Sequence, residues 1–219
     1  MNITIRLFFE KRDRAKYISH LDITRCFSRA ISRTDIPVWY SEGFNPRIHM
    51  AFPLPIPLGF ESVCESLEIR LIEDSYPLEK IVTSLNRVLP QGIRILEAAL
   101  PQEKPDMIAL ADYTVSIDTE QAQTLRSDFE TFAAQPSINI VRRTKKGEKE
   151  IDLVPLFSII ELIPKENRLI MKLRLSAGTT LNLNPILLIE AFSAYLGCAV
   201  EDYDVERTAI LKEDGSIWR

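Results

Sequence analysis

Residues 3–10 read ITIRLFFE and residues 19–31 read SHLDITRCFSRAI, and these two stretches decide how the first half of the chain folds. The first stretch alternates polar and apolar residues and is rich in β-branched and aromatic types, which predicts a strand. In the second, apolar residues recur at helical spacing after Ser19, a residue type that begins helices. Pro37 then ends the helix, and Val38-Trp39-Tyr40 is predicted to begin a second strand.

The remaining predicted elements repeat this pattern. A strand at Leu67–Ile72, a helix at Leu78–Leu89 and a strand at Ile93–Leu100 complete the order β-α-β-β-α-β, which is typical of a ferredoxin-like domain. Beyond residue 107 the same periodicities predict strands at Asp112–Ile117, Ile138–Arg142, near Leu156–Leu162, at Leu169–Leu175 and at Val205–Leu211, with helices at Glu120–Ala134 and Asn184–Leu196.

We therefore predict an α+β fold made of tandem ferredoxin-like (βαββαβ) halves. The first half is residues 1–100 and carries the motifs YISHLD and GFNP. Residues 101–107 begin with the proline-flanked polar stretch PQEKP and are predicted to form a linker. The second half is residues 108–219 and carries the motif RRTKKGEKEIDL. A chain of 219 residues is long enough for two domains of roughly 100 residues each.

The composition predicts a soluble cytoplasmic protein with no membrane association. The start MNITIRLFFEKRDR lacks the basic region, apolar run and cleavage site of a signal peptide, and no apolar run is long enough to cross a membrane. Cys26, Cys64 and Cys198 are few, odd in number and widely spaced, which suits a reducing compartment better than a disulfide framework. Cys26 and Cys198 are interpreted as small buried apolar residues.

Motifs for a resident metal or cofactor are absent from the sequence. Two histidines and three scattered cysteines show no metal-ligand spacing, and the glycine-rich and GxSxG motifs of nucleotide-dependent and acyl-transfer enzymes are missing. We therefore predict no metal and no cofactor. The net charge of −4 is unevenly distributed, because residues 1–50 carry nine Lys and Arg against five acidic residues. Local basic segments, rather than total charge, determine where a phosphate backbone docks.

The segment KYISHLD at residues 16–22 has a structural and a functional interpretation. In the structural one, Ser19 caps the helix and Asp22 returns a hydrogen bond. In the functional one, free amides at the helix start form a pocket for phosphate or carboxylate. The residues proposed to line that pocket are Lys16, Ser19, His20, Arg25 and Arg29. If the chain is an enzyme, its candidate catalytic residues are His20, Asp22 and Tyr17.

The segment YSEGFNPR at residues 40–47 is the second candidate site. Gly43 and Asn45 tolerate unusual backbone angles, while Arg47 offers a cation beside ring faces of the kind that stack on nucleic-acid bases. An ordinary connection with its aromatic residues packed inward is the alternative. The candidate binding residues of this segment are Tyr40, Ser41, Gly43, Phe44, Asn45 and Arg47.

Two further basic features lie in the second half. The stretch RRTKK at residues 142–146 is either a solvated hairpin tip or a clamp for phosphates, and Arg207 interrupts an apolar strand to face either a groove or an exposed sheet surface. The candidate binding residues here are Arg142, Arg143, Lys145, Lys146 and Arg207.

Taken together, KYISHLD, YSEGFNPR with the following FPLPIPLGFES, RRTKKGEKEIDL and a late ERT resemble the radical SAM-linked protein family, a bacterial domain of unknown function. The chain departs from that family at His49, where members more often have a basic residue. The resemblance implies that the chain occurs beside, or fused to, a large radical SAM enzyme. It also implies that signature positions fall at Tyr17, Ser19, His20, Asp22, Arg29, Tyr40, Ser41, Gly43, Phe44, Asn45, Pro46, Gly59, Glu61, Ser62, Arg143, Thr144, Lys146, Gly147, Asp152 and Arg207.

A radical SAM enzyme binds its iron–sulfur cluster with closely spaced cysteines, and this sequence has none. The leading hypothesis is therefore an accessory module that recognises a substrate, RNA or a nucleotide-like anion, for a radical SAM partner. Two alternatives stay open. One is a stand-alone RNA-modifying or RNA-processing enzyme, and the other is a protein–protein adaptor.

Overall fold

The structure is a computed structural model that describes residues 2–144, 147–178 and 181–219, without the side chains of Arg142, Arg143, Thr144 and Lys149. The chain divides into two compact units, Met1–Pro105 together with Arg219, and Asp106–Trp218. The division falls within the stretch predicted as a linker, residues 101–107. The domain boundaries themselves stay a prediction.

The first unit is an antiparallel sheet with two helices. Its elements are β1 (Ile3–Lys11), α1 (His20–Ile31), β2 (Met50–Ala51), β3 (Glu61–Leu71), α2 (Leu78–Asn86) and β4 (Ile93–Ala99). β1 lies between β4 and β3, and the short β2 pairs with the other side of β3. The strand order is therefore β4-β1-β3-β2.

The core of the first unit lies where α1 and α2 cover one face of this sheet. Alternate residues of β1, namely Ile5, Leu7 and Phe9, are buried there, as the period of a strand with one covered face requires. The Phe27 ring on α1 packs edge-on against Phe9, with 4.9 Å between the ring centroids. The strand and helix patterns read from residues 3–10 and 19–31 thus meet in one core.

The second predicted strand, which was expected to begin at Val38-Trp39-Tyr40, is not a regular strand in the structure. Val38 and Tyr40 form only isolated bridges, to Leu71 and Ile48 respectively, and regular pairing is limited to β2. Residues 41–47 leave the sheet as a loop before a ladder can form. The prolines that follow β2 lack the N–H donor needed to lengthen it.

The second unit holds a four-stranded antiparallel sheet and a separate hairpin. Its elements are β5 (Leu110–Asp118), α3 (Ala122–Ala133), β6 (Asn139–Thr144), β7 (Gly147–Asp152), β8 (Phe157–Lys165), β9 (Arg168–Ser176), α4 (Pro185–Leu196) and β10 (Tyr203–Leu211). The sheet order is β10-β5-β9-β8, and β6 pairs with β7. Phe129 and Phe132 of α3 pack against Phe192 of α4, with ring centroids 5.0 Å and 5.3 Å apart.

Four helices and the mostly antiparallel strands confirm the predicted α+β class. The order is β4-β1-β3-β2 in the first unit and β10-β5-β9-β8 in the second. If the β6–β7 hairpin is left out and the strands of each unit are numbered from one to four along the chain, both orders read 4-1-3-2. Tandem ferredoxin-like halves stay a prediction, and this shared order is the observation that supports it.

The cysteines differ in exposure. Cys26 is half-buried on α1, whereas Cys198 is exposed, so its interpretation as a buried apolar residue is wrong. Cys198 follows the last residue of α4, beyond the buried face of that helix. Burial raises the pKa of the Cys26 thiol, and the nearby Arg33 and Arg29 oppose that shift without cancelling it.

We expect iodoacetamide to modify Cys198 before Cys26 in the folded protein at pH 7.5. The raised pKa leaves less Cys26 thiolate, which is the reactive form, and burial restricts access to it. Peptide mass spectrometry of a time course would measure both rates, with Cys198→Ser as the control that removes the Cys198 signal and leaves Cys26 and Cys64. Faster modification of Cys26 would contradict the structure.

Candidate nucleic-acid interface

The start of α1 is closed by side-chain hydrogen bonds. The Asp22 N–H donates to Ser19 Oγ at 3.2 Å, and the Ser19 hydroxyl donates to Asp22 Oδ2 at 2.7 Å. Arg25 Nη1 donates to the other carboxylate oxygen of Asp22 at 3.1 Å. The predicted cap is confirmed, so Ser19, Asp22 and Arg25 each have a structural role at the helix start.

The hydrogen bond from Ser19 and then that from Arg25 lower the pKa of the Asp22 carboxyl below its ordinary value. A carboxyl whose pKa is lower in the folded state stabilises the fold at pH values above its unfolded pKa. That stabilisation is lost as the pH falls through the folded pKa. Asp22 is therefore a fixed negative charge near neutral pH rather than a group that exchanges protons.

We expect Ser19→Ala to raise the Asp22 pKa toward its ordinary value and to lower the free energy of unfolding by about 0.5–2 kcal/mol, because the variant loses the cap. NMR titration of the Asp22 carboxyl carbon and urea unfolding would measure the two effects. Thr24→Ala is the matched control, since the Thr24 hydroxyl bonds the His20 carbonyl and not Asp22. An unchanged Asp22 titration in Ser19→Ala would show that the cap does not set this pKa.

The three candidate catalytic residues lie near one another in sequence but are not joined by hydrogen bonds in the described part of the chain. The His20 ring is exposed and packs edge-on against Phe52, with centroids 5.0 Å apart. Tyr17 is 68% exposed, and the Lys16 ammonium lies 5.4 Å from its ring centroid. Asp22 directs its carboxylate to Ser19 and Arg25 instead.

Two buried charged residues lie beneath this segment. Lys11 and Glu65 are 1% and 2% exposed, and both line a cavity of about 10 Å³ together with His20. That volume is about the lower limit for one water molecule. Lys11 Nζ also donates to the Lys16 carbonyl at 3.2 Å, so a buried ammonium anchors the backbone from which the YISHLD segment starts.

The burial of Lys11 and Glu65 was not predicted from the sequence. For Lys11, the alternation of β1 did indicate a buried position. Lys11 continues the odd-numbered series of Ile5, Leu7 and Phe9 that faces the core. The charge of Lys11 nevertheless led to the expectation of an exposed side chain, since lysines are rarely buried. Glu65 pairs with Phe9, and the register shifts between Phe9 and Lys11, an irregularity that a single sequence does not reveal.

The GFNP motif lies on a loop that is closed at its base. The Ser41 N–H donates to the Arg47 carbonyl at 2.8 Å, and the Arg47 N–H donates to Ser41 Oγ at 3.0 Å. Below these bonds, Tyr40 and Ile48 form a bridge. Every residue from 42 to 47 is exposed, and Phe44 is exposed over its whole surface. The alternative in which Phe44 packs inward is therefore wrong.

Gly43 has a φ of +122°, which L residues rarely adopt, yet a Cβ added there would have no atom within 4 Å. We expect Gly43→Ala to strain the loop backbone by about 1–3 kcal/mol without a steric clash, and so to loosen the closed base. Faster hydrogen exchange of the Arg47 amide would measure this. Gly59→Ala is the matched control, because Gly59 also has a positive φ and open space but lies in another loop. Unchanged Arg47 exchange in Gly43→Ala would refute the expectation.

Several arginines of the first unit are exposed and make no ion pair within the described ranges, namely Arg14, Arg29, Arg33, Arg47, Arg70, Arg87 and Arg94. Arg29 lies in the last turn of α1, where a cation also suits the helix dipole. Arg47 has no such structural explanation for its side chain. It lies on the same closed loop as Phe44.

The structure describes only some of the candidate binding residues of the second unit. The backbone of Arg142 and Arg143 belongs to β6 of the hairpin that the sequence indicates, but their side chains and all of Lys145 and Lys146 lie outside the described residues. Arg207 is 1% exposed on β10. It is therefore not a surface cation.

Within the first unit the candidates form two groups. His20 lines a cavity with Phe9 of β1 and with Glu65, which pairs with Phe9. The segment before the 41–47 loop lies elsewhere, because its Val38 forms a bridge with Leu71, the partner of Ile3. Phe9 and Ile3 are six residues apart on β1, or about 20 Å. Among the described residues, the segment before the loop thus lies toward the opposite end of β1 from His20.

The described ranges hold no group of three or more His, Cys, Asp and Glu residues arranged to bind a metal ion. None of their helices has both the length and the apolar character to cross a bilayer.

The fold and the closed loop define an α+β protein with a protruding aromatic tip and an exposed cation on the same loop. A family model described as an uncharacterized protein conserved in bacteria (DUF2344) matches residues 4–185, and the chain belongs to this family. No curated protein matches the chain. A crystal structure of an unknown protein from Galdieria sulphuraria is similar at 14% identity over 94% of this chain and 99% of that chain, with a TM-score of 0.28.

Proposed function

We propose that this chain is an accessory module that recognises RNA or a nucleotide-like anion as substrate for a radical SAM enzyme. The observation that carries the proposal is the closed loop at residues 41–47, on which the Phe44 ring is fully exposed to solvent and Arg47 is exposed as well. The partnership with a radical SAM enzyme rests on the resemblance in the sequence motifs.

Phe44 and Arg47 together have the chemistry of nucleic-acid recognition. An exposed aromatic ring stacks on any base, and an arginine binds phosphate through a fork of donors. A single exposed apolar residue needs no explanation on a protein surface. The argument depends on the combination of this ring with a cation on a loop that two hydrogen bonds hold closed.

Electrostatics favour the same surface. Some arginines at the surface already have carboxylate partners, as Arg168 has in Asp118 and the half-exposed Arg126 has in Glu130. Arg47 has none within the described residues, so binding a phosphate there breaks no existing ion pair. A net charge of −4 is compatible with this, because screening at physiological salt confines the field of an exposed charge to about 8 Å.

The stand-alone enzyme is supported less well. Its candidate residues His20, Asp22 and Tyr17 are not linked by hydrogen bonds in the described part of the chain, and Asp22 is committed to the helix cap. Turnover of RNA by the isolated chain, abolished in His20→Ala, would favour this alternative. A protein–protein adaptor would instead bind its partner without any RNA.

We expect the protein to bind RNA with an affinity that falls steeply as salt rises, because phosphate contacts release counterions. Arg47→Ala and Arg143→Ala should each weaken binding. Loss of one phosphate contact should lower the slope of log K against log[salt] by about 0.7 on single-stranded RNA. Fluorescence anisotropy between 50 mM and 200 mM salt would measure both quantities.

The matched control is Arg126→Ala, which removes a half-exposed arginine that already pairs with Glu130. It should bind RNA as the wild type does. Absence of wild-type binding at low salt would refute the proposal. If both Arg47→Ala and Arg143→Ala bind like the wild type, these two segments are not the binding site.

A further inference from the structure

We infer that the loop at residues 41–47 takes a single-stranded stretch of RNA and stacks one unpaired base on the Phe44 ring. This inference rests on the proposed function and narrows its ligand from any RNA or nucleotide-like anion to one chemical class. It also assigns a specific role to Phe44, that of a base-stacking residue.

The shape of the loop argues against a free nucleotide. Small ligands bind in concave sites that cover most of their surface. Residues 42–47 are all exposed, so the loop tip is convex and covers only one face of whatever it touches. A ligand that binds such a tip must be held at other points as well, which a polymer allows and a mononucleotide does not.

The accessibility of the ring argues for an unpaired base. In a duplex, base faces are stacked on their neighbours and are closed to a side chain, whereas single strands can present them. Phe44 extends from the tip with its whole surface exposed. Gly43 before it has no side chain, so one approach to the ring is open for a flat partner.

The neighbours of Phe44 favour a nucleic acid over a protein partner. Energetically important aromatic residues at protein interfaces are surrounded by other contact residues that exclude water. The loop residues next to Phe44 are Gly43 and Asn45, and both are exposed. Asn45 carries an amide whose donor and acceptor match the edge of a base.

The charged residues of the loop would orient the bound RNA strand. Glu42 precedes the ring and repels phosphate, whereas Arg47 follows it and makes no ion pair within the described residues. The phosphates next to the stacked base should therefore lie toward Arg47. The hydrogen bonds between Ser41 and Arg47 hold the loop backbone closed before binding, which reduces the entropic cost of ordering the loop.

The experiment compares a labelled ten-nucleotide single strand with a blunt duplex of the same sequence, by anisotropy at fixed salt, for the wild type and Phe44→Ala. The wild type should prefer the single strand. Phe44→Ala should lose about 5- to 150-fold on the single strand, the effect of one base–aromatic stack, and little on the duplex. Phe44→Trp should restore binding, and Phe44→Leu should not, because leucine is apolar but cannot stack.

Ile160→Ala is the control for loss of an exposed apolar side chain, since Ile160 is 49% exposed in the second unit. Because Phe44 has no buried contacts, its variants should melt at the wild-type temperature. If RNA binds but Phe44→Ala weakens neither ligand, or weakens both equally, the stacking inference is wrong and the proposed function stands. If the wild type binds neither ligand at low salt, the proposed function itself fails.

Discussion

The antiparallel register between β1 and β3 determines where both candidate segments lie. Eight paired positions run from Ile3 opposite Leu71 to Lys11 opposite Ser62. α1 starts near the Phe9 end of this pair, where its first residue, His20, shares a cavity with Phe9. After α1 the chain returns to the Ile3 end of the β1–β3 pair, where Val38 bridges Leu71, and it then enters the exposed loop. A shift of one residue in this register would move Phe9 and Leu7 out of the core.

Burial and pairing reduce the positive charge that the sequence suggests for the first fifty residues. Arg6 is fully buried and forms an ion pair with Glu68 at 2.5 Å, and Lys11 is buried as well. Arg12 and Arg25 pair with nearby carboxylates. Counting residue types therefore overstates the surface charge, and the cations relevant to a ligand are the few that have no partner. Arg47 is one of these within the described residues, and it lies on the same loop as the exposed Phe44 ring.

Patterns with a local cause were predictable from the sequence. The alternation of β1, the helical spacing of α1 and the Ser19 cap all depend on neighbours within a few residues, and the structure has each of them. The order of elements gave the α+β class for the same reason. The GFNP loop was recognisable because glycine, asparagine and proline have distinct backbone preferences.

What the sequence did not reveal depends on contacts between distant residues. The burial of Lys11 and Glu65 follows from the pairing of β1 with β3 and from its irregular register, which no local pattern encodes. The absence of a regular strand at the predicted Val38–Tyr40 follows from the competition between pairing and loop formation. The exposure of Cys198 depends on the residue at which α4 ends.

The proline series after β2 has a consequence for association between molecules. An outer strand normally offers a row of free amide and carbonyl groups that can recruit a strand from another chain. On the β2 side of the first unit, regular pairing ends at Ala51, and Pro53, Pro55 and Pro57 then supply no donors at alternate positions. At these three positions the chain after β2 therefore cannot recruit a further strand through backbone N–H groups.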